Sequence, residues 1–163
     1  MKLKNIPGSV VAPKGFLAGG VFCDIKRLGT GKGSDKGQKC DLALIVSETP
    51  ATVAGLFTTN QVCAAPVKVC QAHLKKGIAQ AIVVNSGNAN ACTGKQGLSD
   101  AKEMTATAAR ELNIAADKIF VGSTGRIGVI LPMENVKRGI VETAKVLGNS
   151  SAHADHADRK SVV

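Results

Sequence analysis

Aromatic residues are nearly absent: the 163 residues hold four Phe, no Trp and no Tyr. A core must therefore be filled by Val, Ile, Leu and Ala, and a nucleic-acid surface that stacks bases on rings is poorly served. No apolar run approaches the roughly 18 residues that a membrane-spanning helix needs. The start, Met1-Lys2-Leu3-Lys4-Asn5, carries two lysines with no apolar stretch behind them. A secretory signal is not expected, and a cytoplasmic protein is. The five cysteines (Cys23, Cys40, Cys63, Cys70 and Cys92) are odd in number and never spaced Cys-x-x-Cys. This argues against a disulfide framework or a structural zinc site and for buried free thiols. Acids are in deficit, 12 Asp and Glu against 21 Lys and Arg, which gives a net charge of +9. That excess favours anionic partners, yet a basic solvated surface is the simpler account of it. There is no internal repeat and no interdomain linker, so one domain over residues 1–150 is expected, followed by a charged tail over 151–163.

What is present alternates. The stretch 29–39 is rich in Gly and Lys but lacks the Walker order, because Gly33 rather than Ser or Thr follows Lys32. It reads as a solvated loop. Leu42–Val46 is a charge-free run of strand length, Pro50 breaks the chain, and Val53–Phe57 and Val67–Val69 read as further short strands. Ala81–Val84 and Ile119–Val121 read as two more. Runs without charge, such as Leu42–Val46 and Ala81–Val84, need cover on both faces. Ser99 is a suitable N-cap for a helix whose Ala101, Met104, Ala108 and Leu112 share one face. A second helix starts near Pro132, buries Val136, Ile140, Ala144 and Leu147, and ends at Gly148. Strands mixed with helices in this order indicate an α/β or α+β sandwich.

Two segments place small polar residues directly after apolar strands. Asn85-Ser86-Gly87-Asn88-Ala89-Asn90-Ala91-Cys92-Thr93-Gly94 follows one strand. Its Asn and Gly tolerate left-handed backbone and let a ligand approach the main chain. An ordinary polar turn fits it equally well. Gly122-Ser123-Thr124-Gly125-Arg126-Ile127-Gly128 follows another. A Thr hydroxyl beside a backbone N–H can aim two donors at one developing oxyanion, although a plain turn is the simpler reading of the bare pattern.

The blocks Val11-Ala12-Pro13-Lys14-Gly15-Phe16, Asp41–Ser47, Gly55–Asn60 and Ala64–Val67 occur in order. The segment 84–94, Ser123-Thr124-Gly125 and Leu131-Pro132-Met133 follow them. Together they resemble the ornithine acetyltransferase (glutamate N-acetyltransferase) family of arginine biosynthesis. The Asn-Ser-Gly-Asn-Ala-Asn-Ala-Cys-Thr-Gly block is the most specific part. The resemblance implies an α/β sandwich with central sheets between helical layers, incomplete without a second chain. It implies acetyl transfer from N-acetylornithine to glutamate through an acetyl-Thr intermediate. No cofactor is implied, and acetyl-CoA enters, if at all, as a substrate. Members of the family cleave themselves before a Thr, which becomes the N-terminal nucleophile of the second (beta) chain, its own amine serving as base. The oxyanion-hole pair then falls on Thr124 and Gly125. Residues 157–163 carry neither the Thr-rich substrate segment nor the Ala-Thr-Met cleavage site. The nucleophile is therefore expected in the beta chain of the same precursor, with which this chain would form a hetero-oligomer. Arg126 departs from the small or branched apolar residue usual in the family; it could strengthen the hole, occlude it or point to solvent.

Three other readings compete. One is an inactive truncated relative. Another is a basic nucleic-acid-binding module resting on Lys26, Arg27, Lys32, Lys36 and Lys39, but with no aromatics interleaved. The third is a metal site in His153-Ala154-Asp155-His156, for which a disordered charged tail is the simpler account. His73 reads as a surface residue of a short helix. On balance the sequence predicts an acyltransferase chain with no nucleic-acid or membrane partner.

Overall fold

The computed structural model describes residues 5–26 and 39–158. Four strands form one sheet in the order β1-β2-β3-β4. They are β1 (Phe16–Val21), β2 (Leu42–Thr52), β3 (Ile78–Asn88) and β4 (Ile119–Arg126). The β1/β2 and β2/β3 pairs are antiparallel, and β3/β4 is parallel. A parallel pair needs a long crossover. Helix α2 (Gly94–Leu112) supplies it. Helices α1 (Ala65–Leu74), α3 (Met133–Lys145) and α4 (Ser151–Asp158) complete the set. Most of the Gly- and Lys-rich segment, residues 27–38, lies outside the described residues, as do residues 1–4 and 159–163.

Alternation along the strands sorts their side chains onto two faces. On one face Leu42, Leu44, Ala81, Val83, Ile119 and Val121 pack against α1, α2 and α3 in a core containing Met104, Val136 and Ile140. Fully burying one such side chain contributes roughly 1.5–3 kcal/mol. On the other face Ala18 and Ala43 meet Ala154 and Ala157 of α4 and Val11 of a short 3-10 turn, Ser9–Val11. That cover stops at β2. Beyond it the face is open: Ile82 is 40% exposed, Val84 and Phe120 are half-buried, and a cavity of about 210 Å³ lies between Phe16, Ile45, Ala51, Ile82 and Phe120.

The α/β class and the strands at Leu42–Val46, Ala81–Val84 and Ile119–Val121 agree with the sequence. Other local expectations are corrected. The strand through Leu42 continues past Pro50 to Thr52, because the pairing with β3 is irregular between Val46 and Ala51, and a bulge tolerates a residue with no N–H to donate. Val53–Phe57 is not a strand. Val67–Val69 is helical: Pro66 suits a first helical turn, and Ala65, Pro66, Val69 and Cys70 form the buried stripe. Helix α2 begins at Gly94, five residues before Ser99, and ends at Asn113 in left-handed conformation with φ 52°. Gly148 does not cap α3. It exchanges backbone hydrogen bonds of 2.9 and 3.0 Å with Ala18. Residues 151–158 are not a disordered tail but helix α4, with Ala154 and Ala157 buried.

The cysteines are all free, but only Cys23 and Cys70 are buried; Cys40 and Cys63 are half-buried and Cys92 is exposed. Among the described residues no helix is long and apolar enough to cross a membrane.

Candidate functional site

The two polar segments singled out in the sequence lie side by side. In the parallel β3/β4 register Ser86 is opposite Thr124, Gly87 opposite Gly125 and Asn88 opposite Arg126. Both segments were expected to be loops from their first residue. Instead the strands run on through Asn88 and Arg126, and the loops start after them. Strand ends of this kind, at the carboxyl edge of a parallel pair, are where α/β folds place sites.

Thr124 is half-buried and Gly125 exposed. By alternation the Thr124 side chain lies on the open face with Ile82 and Phe120. No hydrogen bond of its hydroxyl is found among the described residues. Gly125 has φ 125°. A Cβ there would lie 2.3 Å from the Gly87 carbonyl oxygen. Only a glycine lets the two backbones approach so closely. The cavities of about 390, 210 and 400 Å³ are lined by other residues. A cavity of about 390 Å³ lies between Cys63, Lys68, Cys92, Thr93 and Lys95.

Hydrogen bonds fix the surrounding backbone. Asn85 Nδ2 donates to the Asn88 carbonyl at 3.0 Å, and Asn88 Nδ2 donates to the Ile130 carbonyl at 3.1 Å. Asn90 Nδ2 reaches the Gly97 carbonyl at 2.8 Å, while Thr93 Oγ1 donates to Asn90 Oδ1 at 2.7 Å. The buried Asn85, Asn88 and Asn90 thus bond the backbone, as a polar turn requires. Asn85 and Ser123 are register partners, and Asn85 Oδ1 and Ser123 Oγ are buried without a hydrogen-bond partner among the described residues. Arg126 turns across the site: its Nε donates to Asn88 Oδ1 at 3.1 Å and its Nη2 to the Lys26 carbonyl.

Asp41 was not singled out, yet it fixes the backbone beside the site. Its buried carboxylate accepts from the backbone N–H of Cys23 at 2.6 Å and of Ile25 at 2.7 Å. Asn135 Nδ2 donates to the Cys23 carbonyl at 2.7 Å. Together they shape a shelf, residues 23–26, beside Gly87. The available signal was a lone acid immediately before a charge-free strand. Shifted acidities lie at the other end of β4. Burial pushes the Cys70 thiol up, partly offset by its bond with the Val121 backbone, and the Lys76 ammonium holds the Asp117 carboxyl down.

His73 is half-buried rather than on the surface, with Nδ1 2.8 Å from the Ile119 carbonyl. His153 Nδ1 pairs with Ser150 Oγ at 2.6 Å. Among the described residues no group of three or more His, Cys, Asp or Glu side chains gathers to hold a metal. Of the lysines behind the nucleic-acid reading, Lys32 and Lys36 lie outside the described residues, with Arg27.

A family model described as the ArgJ family matches residues 20–159. The arginine biosynthesis bifunctional protein ArgJ of Caldanaerobacter subterraneus subsp. tengcongensis is 50% identical over 156 residues, which cover 93% of this chain and 36% of that protein. The protein of the same name from Bacillus cereus is 47% identical over 90% of this chain and 34% of its own length. The chain therefore spans about a third of the length of the curated relatives it matches. Among solved structures, the arginine biosynthesis bifunctional protein ArgJ of Bacillus halodurans superposes with a TM-score of 0.83 at 39% identity, over 93% of this chain and 73% of that one. The ornithine acetyltransferase of Mycobacterium tuberculosis, solved in complex with ornithine, gives 0.84 at 37% identity, over 94% and 78%. The chain belongs to the ArgJ family.

Proposed function

We propose that this chain is one part of a cytoplasmic acyltransferase of arginine biosynthesis, moving acetyl from N-acetylornithine to glutamate through an acetyl-Thr intermediate. The observation that carries the reading is the placement of Thr124 and Gly125, matching the family's oxyanion pair, at the paired ends of β3 and β4 in a chain of the ArgJ family. In the proposed mechanism the Thr124 hydroxyl and a neighbouring backbone N–H donate to the carbonyl oxygen as it gains charge. Donors fixed in advance stabilise that charge without reorganising during the reaction. The nucleophilic Thr and its amine base belong to the beta chain of the same precursor, in the two thirds of the relatives' length that these residues do not span. Acetyl-CoA is an alternative acetyl donor in this scheme, not a resident cofactor.

The open face of the sheet supports a second chain. Ile82 is 40% exposed, and the 127–130 loop adds Ile127 at 68% and Ile130 at 48%. Apolar exposure gathered near a candidate site marks a surface that a partner covers. The beta chain would bury it, bring the Thr to the β3/β4 edge and make the enzyme a hetero-oligomer. The test is reconstitution. The 163-residue chain alone should not transfer acetyl from N-acetylornithine to glutamate, and co-expression with the beta chain should give transfer. Transfer by the isolated chain at the rate of the assembled enzyme would refute the proposal, as would an inactive assembly.

A further inference from the structure

Three backbone segments approach one another closely at the candidate site. A Cβ on Gly87 would lie 2.8 Å from the Lys26 nitrogen, and one on Gly125 would lie 2.3 Å from the Gly87 oxygen. Lys26 thus rests on the end of β3, which rests on the end of β4. The β3/β4 ladder joins the two strand ends, and the Arg126 side chain reaches the Lys26 layer. Asp41 holds the shelf upstream, at Cys23 and Ile25, and Ala89 N–H donates to the Arg126 carbonyl at 2.8 Å on the β3/β4 side. The Arg126 side chain joins the three layers. It leaves β4, donates to Asn88 Oδ1 at the end of β3 at 3.1 Å, and continues to the Lys26 carbonyl. Asn88, held there, passes its own Nδ2 hydrogen bond on to Ile130 at 3.1 Å.

We propose that Arg126 is a positioning residue of the acyl-transfer site: its guanidinium ties Lys26 and Asn88 to β4 and so holds still the backbone that carries Thr124 and Gly125. The inference rests on the function proposed above. The residue type matters because a guanidinium is a planar fork with donors in several directions, and two acceptors on different segments need such a fork. A lysine can reach one of them as a point donor. An apolar side chain reaches neither. Looser donors weaken an interaction made only in the transition state, so turnover should fall while substrate affinity stays.

The experiment uses the full two-chain enzyme carrying Arg126→Met or Arg126→Lys. R126M should lower kcat about tenfold with KM for both substrates changed by less than about twofold, and R126K should lie between it and wild type. Hydrogen exchange should quicken in peptides spanning 24–26 and 85–90 of R126M, while the centre of α3 stays unchanged. If R126M does not fold, R126K carries the test, with a loss in kcat of about threefold. A kcat in the folded variants within about 1.5-fold of wild type, or a change confined to KM, would overturn the proposal. If the wild-type enzyme transfers no acetyl group, the proposed function falls, and hydrogen exchange then decides the clamp: unchanged rates at 24–26 and 85–90 would overturn it.

Discussion

Replacing Gly125 by Ala tests the close backbone packing on which the site rests. The left-handed φ of 125° is one that L side chains rarely adopt. Forcing Ala into such a region costs about 1–3 kcal/mol. The added Cβ would also lie 2.3 Å from Gly87 O, 2.4 Å from Gly87 C and 2.9 Å from Asn88 N, all backbone atoms. No flexible side chain can move aside, so β3 and β4 must separate by about 1 Å, at an overpacking cost of about 1–3 kcal/mol. Together these predict a loss of about 2–6 kcal/mol, a large share of the roughly 5–15 kcal/mol that keeps a domain folded. Gly122, three residues earlier on the same strand, is the control. A Cβ there would sit 3.5 Å from Val84 Cγ1, an ordinary contact. Gly122→Ala should be neutral or stabilising by up to about 1 kcal/mol, through the unfolded chain. Denaturant unfolding of the two variants of the 163-residue chain, followed by far-UV circular dichroism, measures the difference. Equal midpoints for G125A and wild type, or an equal loss in G122A and G125A, would refute the packing argument.

Cys92 is exposed and Cys23 and Cys70 are buried, so iodoacetamide at neutral pH should label Cys92 first and Cys23 and Cys70 last in the native protein; peptide mass spectrometry reads the order, and early labelling of Cys23 or Cys70 contradicts it. Burial raises the folded Cys70 pKa above its unfolded value. Its contribution to stability is therefore full below the unfolded thiol pKa, about 8.5, and is lost as pH rises from there through the folded value. Cys70→Ala should flatten the alkaline fall in stability, and an unchanged slope would count against this. Ile82→Lys should make the isolated chain more soluble and lower the yield of assembled two-chain enzyme; an unchanged yield on size-exclusion chromatography would show that the partner does not cover this face.

Much of this architecture was legible because its signals are local. The uncharged runs at Leu42, Ala81 and Ile119 and the helical stripes of α2 and α3 announce themselves by period. Helix α1 was misread because Val67 and Val69 suggest a strand when taken alone, while the stripe that decides spans Ala65 to Cys70. Helix α4 carries only alanines toward the sheet, and its burial depends on Ala18 and Ala43, more than a hundred residues away. At the candidate site, Thr124 and Gly125 came from a recognisable block. The role of Arg126 depends on a carbonyl exactly 100 positions earlier in the chain, which no local pattern reveals.

The most direct measurement is steady-state acetyl transfer by the assembled enzyme carrying Thr124→Ala. If the Thr124 hydroxyl is an oxyanion donor, kcat should fall by a factor on the order of 100 to 1,000 with the fold intact. A folded T124A enzyme with wild-type kcat would contradict the assignment of the oxyanion hole to this strand end.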